Sequence, residues 1–148
     1  MEAVSEFRSS LEKKTNVVDL GCGDFSVGSK IRDFCGNYTA CDIVPTLIEY
    51  NKEKYSSLGV DFRVINMTED ELPPGDVVCI RQALPHISNS EIQEILPKLS
   101  KKYQYLILTE HLPNLESFIP NIDIASGPDT RFNYDSGVVL SEAPFNFI

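Results

Sequence analysis

The sequence lacks the features that would place it in a membrane, on nucleic acid or around a metal. No apolar run approaches the about 18 residues of a membrane-spanning helix. No signal-peptide pattern opens it either, so a soluble, cytoplasmic protein is expected. Positive charge is scarce: 13 Lys and Arg stand against 22 Asp and Glu, for a net charge of −9 and a pI near 4.6. A field of that sign repels polyphosphate. The pairs Lys13-Lys14 and Lys101-Lys102 are too isolated to offset it, which argues against duplex DNA or RNA as a partner. Cysteine is limited to Cys22, Cys35, Cys41 and Cys79, with no CxxC and no Cys/His spacing suited to zinc, so no metal is expected. All four read as reduced thiols, Cys41 and Cys79 lying inside apolar, strand-like runs. Internal repeats and low-complexity tracts are also missing. The 148 residues suffice for one domain, 1–148, with its own core.

What is present is alternation. Val4, Phe7 and Leu11 have the spacing of one helix face, which predicts an N-terminal helix over 1–15 ahead of an α/β core over 16–110. In the core, short apolar strands are read at Asn16–Leu20, Tyr38–Asp42, Asp61–Ile65, Val77–Ile80 and Tyr105–Thr109. A helix over Ser26–Phe34 carries Val27, Ile31 and Phe34 on one side. A second, Thr46–Tyr55, is opened by Pro45 and closed at Leu58-Gly59. A third starts at a capping box of Ser90 and Gln93 and presents Ile92, Ile95, Leu96 and Leu99. Thr68–Gly75, with Pro73-Pro74, is a loop. This order predicts an α/β, Rossmann-like doubly wound fold: a mostly parallel five-stranded sheet, order 3-2-1-4-5, with helices on both faces. Residues 111–148 break the pattern with Pro113, Pro120, Pro128 and Pro144 and read as a loop-rich segment holding one apolar run, Val138–Leu140.

The first strand ends in "VVDLGCGDF". In such sheets ligands bind beyond the carboxyl ends of the strands. Gly21 and Gly23 would admit a ligand where a Cβ would clash, with their N–H groups turned to it. A complete GxGxxG is broken at Ser26, so the turn alone also fits a strand-to-helix connection with no ligand. Asp42 ends the second strand about twenty residues on, where an acidic residue holds ribose hydroxyls. Ile43 beside it suits an adenine face, and Asn66 after the third strand an adenine edge. Asp42 as a helix cap and Asn66 as a turn residue are the plainer readings.

Together "VVDLGCGD", "CDIVP", "INM" and "DVVCIRQALPHIS" resemble the class I S-adenosylmethionine-dependent methyltransferases from Asn16 to Thr109. The elements CGDF, CDIVPTLI, RQALPHIS and APFN are similar to those of a group of small bacterial methyltransferases. The resemblance implies S-adenosyl-L-methionine as cofactor and S-adenosyl-L-homocysteine as product. It implies that Asp19, Gly21, Cys22 and Gly23 shape the methionine pocket and that Asp42 holds the ribose. Ile43 and Met67 would sandwich the adenine, with Asn66 at its edge. Arg81 and Gln82 would stand where the fourth strand opens to cofactor and substrate. Such a cofactor has no pyrophosphate, so an incomplete glycine motif suffices. Phe25 departs from the family, where a third glycine is common. The usual final antiparallel strand pair is also short of residues, so a fragment or shortened homologue, or a reduced edge strand at Val138–Leu140, is expected. A missing edge would leave the fifth strand open to a second copy, as a homodimer.

His86, His111 and Glu110 follow the ends of the fourth and fifth strands and are the candidate catalytic bases. Their plain readings are a helix-start residue for His86 and a solvated turn for Glu110-His111. Arg81 would anchor an acidic substrate group or pair with Asp42 or Asp76. "RQAL" replaces the Asp/Asn-Pro-Pro-Tyr/Phe of enzymes that methylate DNA bases or glutamine side chains. The expected activity is therefore in-line methyl transfer to an O- or N-acceptor on a small metabolite or saccharide. The competing readings are an inactive homologue that binds cofactor or a partner, and an NAD-dependent oxidoreductase, which would want the full GxGxxG. Residues 113–148 are expected to wrap as loop over the carboxyl side of the sheet, with His111, Arg131, Asn133 and Tyr134 facing the pocket.

Overall fold

The computed structural model describes residues 14–114 and 116–148. The helix expected over 1–15 lies outside them, save for Lys14 and Thr15, which are not helical. Strands β1 (Val17–Leu20), β2 (Tyr38–Asp42), β3 (Asp61–Val64), β4 (Val77–Arg81) and β5 (Tyr105–Thr109) form one sheet in the order β3-β2-β1-β4-β5. Every neighbouring pair is parallel. The predicted fold class and strand order are what the chain adopts. Helices α1 (Gly28–Ile31), α2 (Pro45–Lys54) and α3 (Asn89–Lys102) make the crossovers after β1, β2 and β4.

Side chains alternate across the sheet, so a strand buried on both faces must be apolar throughout. On one face Val18, Leu20, Val78 and Ile80 pack with Ile92, Ile95, Leu96 and Leu99 of α3. On the other, Val17, Tyr38 and Ala40 pack with Ile48 of α2, Phe62 and Phe25. Register then sets the functional end of the sheet. Leu20 lies beside Cys41 and Ile80. Gly21, Asp42 and Arg81, each one residue further on, therefore emerge at one level.

Four expectations need correction. The helix after the glycine turn is one turn of α1 continued by a 3-10 turn, Arg32–Phe34. Phe34 is 48% exposed, whereas Phe25 takes the interior place. The Phe25 ring meets Tyr38, Tyr55 and Phe62 edge-on at 5.3, 5.2 and 5.0 Å. To reach them its backbone adopts φ +59°, a conformation unfavourable for a residue with a Cβ. The turn is spent on placing that ring, so the helix starts late. Second, α3 begins two residues early, because Ser88 rather than Ser90 is its cap and accepts from the Glu91 N–H. Third, of the two readings of the carboxyl-terminal edge the missing one holds, and Val138–Leu140 forms no reduced edge strand. Asn121 occupies the backbone groups a ladder would use, donating to the Val139 and Ala143 carbonyls and accepting from the Val139 N–H. Among the described residues no strand lies beyond β5 in the sheet. The fourth concerns Arg131, expected at the pocket. It is wholly buried and donates to the carbonyls of Ile122 and Leu84 and to Asn89 Oδ1.

The Phe25 ring also explains Gly28. A Cβ there would lie 2.2 Å from Phe25 Cε2, inside an aromatic cluster with no room to yield. Gly28→Ala should therefore destabilise the fold by about 1–3 kcal/mol, as overpacking does. Urea denaturation checks this; a midpoint equal to wild type would show that the ring is free to move.

Candidate functional site

The two glycines of the turn do different work. A Cβ on Gly21, at φ +79°, would meet Ala83 Cβ at 2.7 Å, so this glycine lets the β1 and β4 loops touch. Gly23, at φ +56°, has nothing within 4 Å of its missing Cβ and leaves open space. Their N–H groups are not turned to a ligand as expected. Gly21 and Cys22 both donate to the Cys41 carbonyl at 2.9 Å. The Gly23 N–H donates to Asp42 Oδ2 at 3.0 Å. The loop thus closes on β2 instead of forming an anion cradle. Its outer side is held by Asn51, a wholly buried amide of α2 that donates to the Gly23 carbonyl at 2.7 Å. Asn51 was missed from sequence, although a polar residue one turn after the core residue Ile48 is the signal that finds it.

Asp42 is a turn residue ahead of the Val44 cap of α2 and also faces the cavity. Oδ1 accepts from the Val44 N–H at 3.0 Å, a turn that leads into α2. Each carboxylate oxygen still has a second lone pair, and the residue lines a cavity of about 730 Å³. Gly21, Gly23, Ile43, Asn66 and Met67 line the same cavity from the β1, β2 and β3 ends. Arg81, Gln82 and His86 line it from the β4 end. Asn66 is also the turn residue of its plainer reading. Its Oδ1 accepts from the Thr68 N–H and hydroxyl, leaving its NH₂ as the group for a ligand. Part of the wall is not foreseen by the sequence: Glu91 from the start of α3, and Ser126, Gly127 and Pro128 from the carboxyl-terminal segment. That segment does wrap over the carboxyl side of the sheet, but Asn133 and Tyr134 stay exposed and off the wall.

Asp19 and Cys22 do not reach this cavity. Asp19 lies between Val18 and Leu20 and so points to the opposite face, where Oδ2 accepts from the Tyr38 hydroxyl at 2.9 Å. Burial pushes its carboxyl up to about 6, with Tyr38 and Arg81 partly offsetting. It lines a separate cavity of about 220 Å³ with Arg81 and Thr109, so Arg81 borders both spaces. Cys22 is 1% exposed and packs with Phe25; burial pushes its thiol well above the ordinary range. Asp76, offered as a partner for Arg81, instead accepts from the Asn16 N–H at 2.8 Å.

Of the three catalytic candidates, His86 alone is on the cavity wall. Its Nδ1 donates to the Asp129 carbonyl at 3.1 Å, which leaves the lone pair on Nε2. His111 is the other tautomer. Its Nε2 accepts from the Gln82 side-chain NH₂ at 2.9 Å, and its ring meets Phe132 edge-on. Glu110 is no solvated turn residue: both carboxyl oxygens are buried and hold no hydrogen bond of good geometry. Burial raises it from 4.5 to about 8, with the Leu84 backbone and Arg131 only partly offsetting.

Comparison with known proteins gives the family and the fold. Residues 17–103 match a family described as the methyltransferase domain. The chain is a member of the methyltransferase domain family. Solved structures agree on the fold. Magnesium protoporphyrin IX methyltransferase from Synechocystis PCC 6803, with S-adenosylhomocysteine bound, superposes with TM-score 0.65 at 17% identity over 78% of this chain and 55% of that one. The S-adenosylmethionine-dependent methyltransferase of Mesorhizobium loti gives 0.60 at 15% over 74% and 53%. Coclaurine N-methyltransferase with N-methylheliamine and S-adenosylhomocysteine gives 0.61 at 22% over 76% and 36%. The chain thus spans about a third to a half of the length of these structures. No curated protein matches it.

In this methyltransferase domain the buried Glu110 gives stability a definite pH dependence. With its folded value raised to about 8 from 4.5, the native state holds an extra proton between those values. The stability it contributes is full below about pH 4.5 and lost as pH rises through 8. Glu110→Gln, which mimics the neutral acid, should melt with wild type near pH 5 and several degrees above it near pH 9. Thermal melts across that range check this; a difference that does not change with pH would contradict it.

Proposed function

We propose that this chain binds S-adenosylmethionine in the cavity over the carboxyl ends of β1 to β4 and catalyses methyl transfer to a small acceptor. The observation that carries the proposal is Asp42. Its carboxylate is fixed by the Gly23 and Val44 N–H groups and keeps a lone pair on each oxygen for two vicinal ribose hydroxyls. Gly23 leaves open space beside it for the amino acid end, and Ile43 and Met67 offer apolar faces for the base. The same turn speaks against a dinucleotide, because the N–H groups of Gly21, Cys22 and Gly23 are all taken within the protein and none remains for a pyrophosphate.

S-adenosylmethionine supplies an activated methyl group, so this chain's residues have to position, exclude water and handle one proton. Positioning supplies much of the rate; here it falls to the Asp42 and Asn66 ends of the cavity, with Arg81 and Gln82 where an acceptor would enter. An O–H or N–H acceptor loses its proton, and His86 Nε2 is the ring nitrogen with a lone pair on this cavity to receive it. A small acceptor, a metabolite or saccharide, suits a cavity of about 730 Å³ in a chain of net charge −9. Similar proteins solved with N-methylheliamine or named for magnesium protoporphyrin IX also point to small organic acceptors.

Ligand that binds only the native state raises its melting temperature by mass action. S-adenosylhomocysteine should therefore raise the melting temperature, and NAD should not. Asp42→Ala should lose at least about tenfold in S-adenosylhomocysteine affinity, since bonds to a charged group contribute about 1.5–3 kcal/mol each. Calorimetry checks this; affinity within twofold of wild type would reduce Asp42 to a turn residue.

A further inference from the structure

The Ser126–Pro128 wall belongs to a loop that one guanidinium closes on itself. Arg131 Nε donates to the Ile122 carbonyl at 2.9 Å, joining the two ends of 122–131. The same fork docks the loop on either side of His86, at the Leu84 carbonyl and Asn89 Oδ1. The tip is fixed as well: the Gly127 N–H donates to the His86 carbonyl at 3.0 Å, and the Ser88 N–H to Ser126 Oγ at 2.8 Å. In an ordinary capping box the glutamate turns back to the N-cap N–H. Here Ser126 has taken that N–H, and the Glu91 carboxylate lies on the cavity wall instead. Ser88 Oγ and Ser126 Oγ both donate to Glu91 Oε2, which leaves Oε1 for a ligand.

Glu91 reaches the cavity wall from the first turn of α3. Lys98, two turns further along the same face of α3, donates to the Thr68 carbonyl at 2.6 Å. That face of the helix therefore runs beside the loop carrying Asn66, Met67 and Thr68, all three on the cavity wall. Resting on the proposed cofactor site, we infer that Glu91, oriented by Ser126, is a specificity-determining residue that reads the exocyclic amino group of the cofactor's base. A carboxylate only accepts hydrogen bonds, and an exocyclic amino group donates them. A 6-oxo base would set two acceptors against each other, so the pair both attracts the adenine form and rejects the inosine form.

The test is calorimetry with S-adenosylhomocysteine and its 6-oxo analogue S-inosylhomocysteine. Wild type should favour the adenine form by about 10- to 100-fold, the range of one hydrogen bond to a charged group. Glu91→Gln keeps an acceptor oxygen for the Ser88 and Ser126 hydroxyls, so the fold is retained, but its NH₂ can donate to the 6-oxo group. The preference should shrink severalfold, with melting temperature unchanged. Ser126→Ala, which removes only the orienting hydroxyl, should shrink it by less. If S-adenosylhomocysteine binds wild type and both variants with one unchanged preference, Glu91 only anchors the Ser88 and Ser126 hydroxyls and the inference falls while the cofactor site stands. Failure of both nucleosides to bind wild type overturns the cofactor site, and the inference with it. Should Glu91→Gln not fold, an unchanged preference in Ser126→Ala is enough to overturn the inference.

Discussion

The carboxylate of Asp42 ties the glycine turn to the start of α2. It sits at the end of β2, next to β1 in the sheet, and takes one N–H from the glycine turn and one from the start of α2. Take it away and Gly23 loses its donor's partner, the entry to α2 loses its turn, and the open space beside Gly23 loses its wall. The neighbouring Cys41 carbonyl completes the arrangement by holding the Gly21 and Cys22 N–H groups. Four backbone donors from two loops are thereby satisfied by two adjacent residues. This consumes the anion-binding capacity that glycine turns often keep for phosphate and leaves a site suited to hydroxyls instead.

Around that floor, burial sorts the acidic residues by role. Asp42 meets backbone donors at the cavity edge. Asp19, one strand over, meets a tyrosine hydroxyl in the core, and burial raises it to about 6. Glu110 meets no donor of good geometry and is pushed up to about 8. Arg131 stands near Glu110, yet its fork is spent on two carbonyls and an amide oxygen, so the charge serves loop closure more than ion pairing. A buried guanidinium without a carboxylate partner is tolerable here because each of its three nitrogens finds an acceptor.

What could be read from sequence divides along the same physical line. Strands, sheet order and the level of Gly23, Asp42, Asn66 and Arg81 were legible, because apolar runs buried on both faces are local and register then forces the strand ends together. Residues whose side-chain direction matters were not. Asp19 points away from the cavity by the two-residue alternation of a strand, and Cys22 follows the aromatic cluster into the core. The other misses were decided by partners far along the chain. Ser88 and Ser90 both offer a plausible cap, and Ser126 helps to settle the choice from 38 residues away. Val138–Leu140 has strand composition, but Asn121 takes its ladder bonds. Phe25 occupies a glycine-like conformation because Tyr38, Tyr55 and Phe62 reward its ring, a contact no local pattern announces. Loop 122–131 is a case of the same kind: its composition reads as a turn, and the fork of Arg131 together with the Ser126 and Gly127 bonds makes it a wall.

The most direct measurement is a crystal structure of this chain grown with S-adenosylhomocysteine. We expect both ribose hydroxyls within hydrogen-bond distance of the Asp42 carboxylate, with the Gly23 and Val44 N–H bonds to that carboxylate kept. A nucleoside bound elsewhere, or a ribose that reaches the cavity without touching Asp42, would contradict the central claim that this carboxylate organises the site.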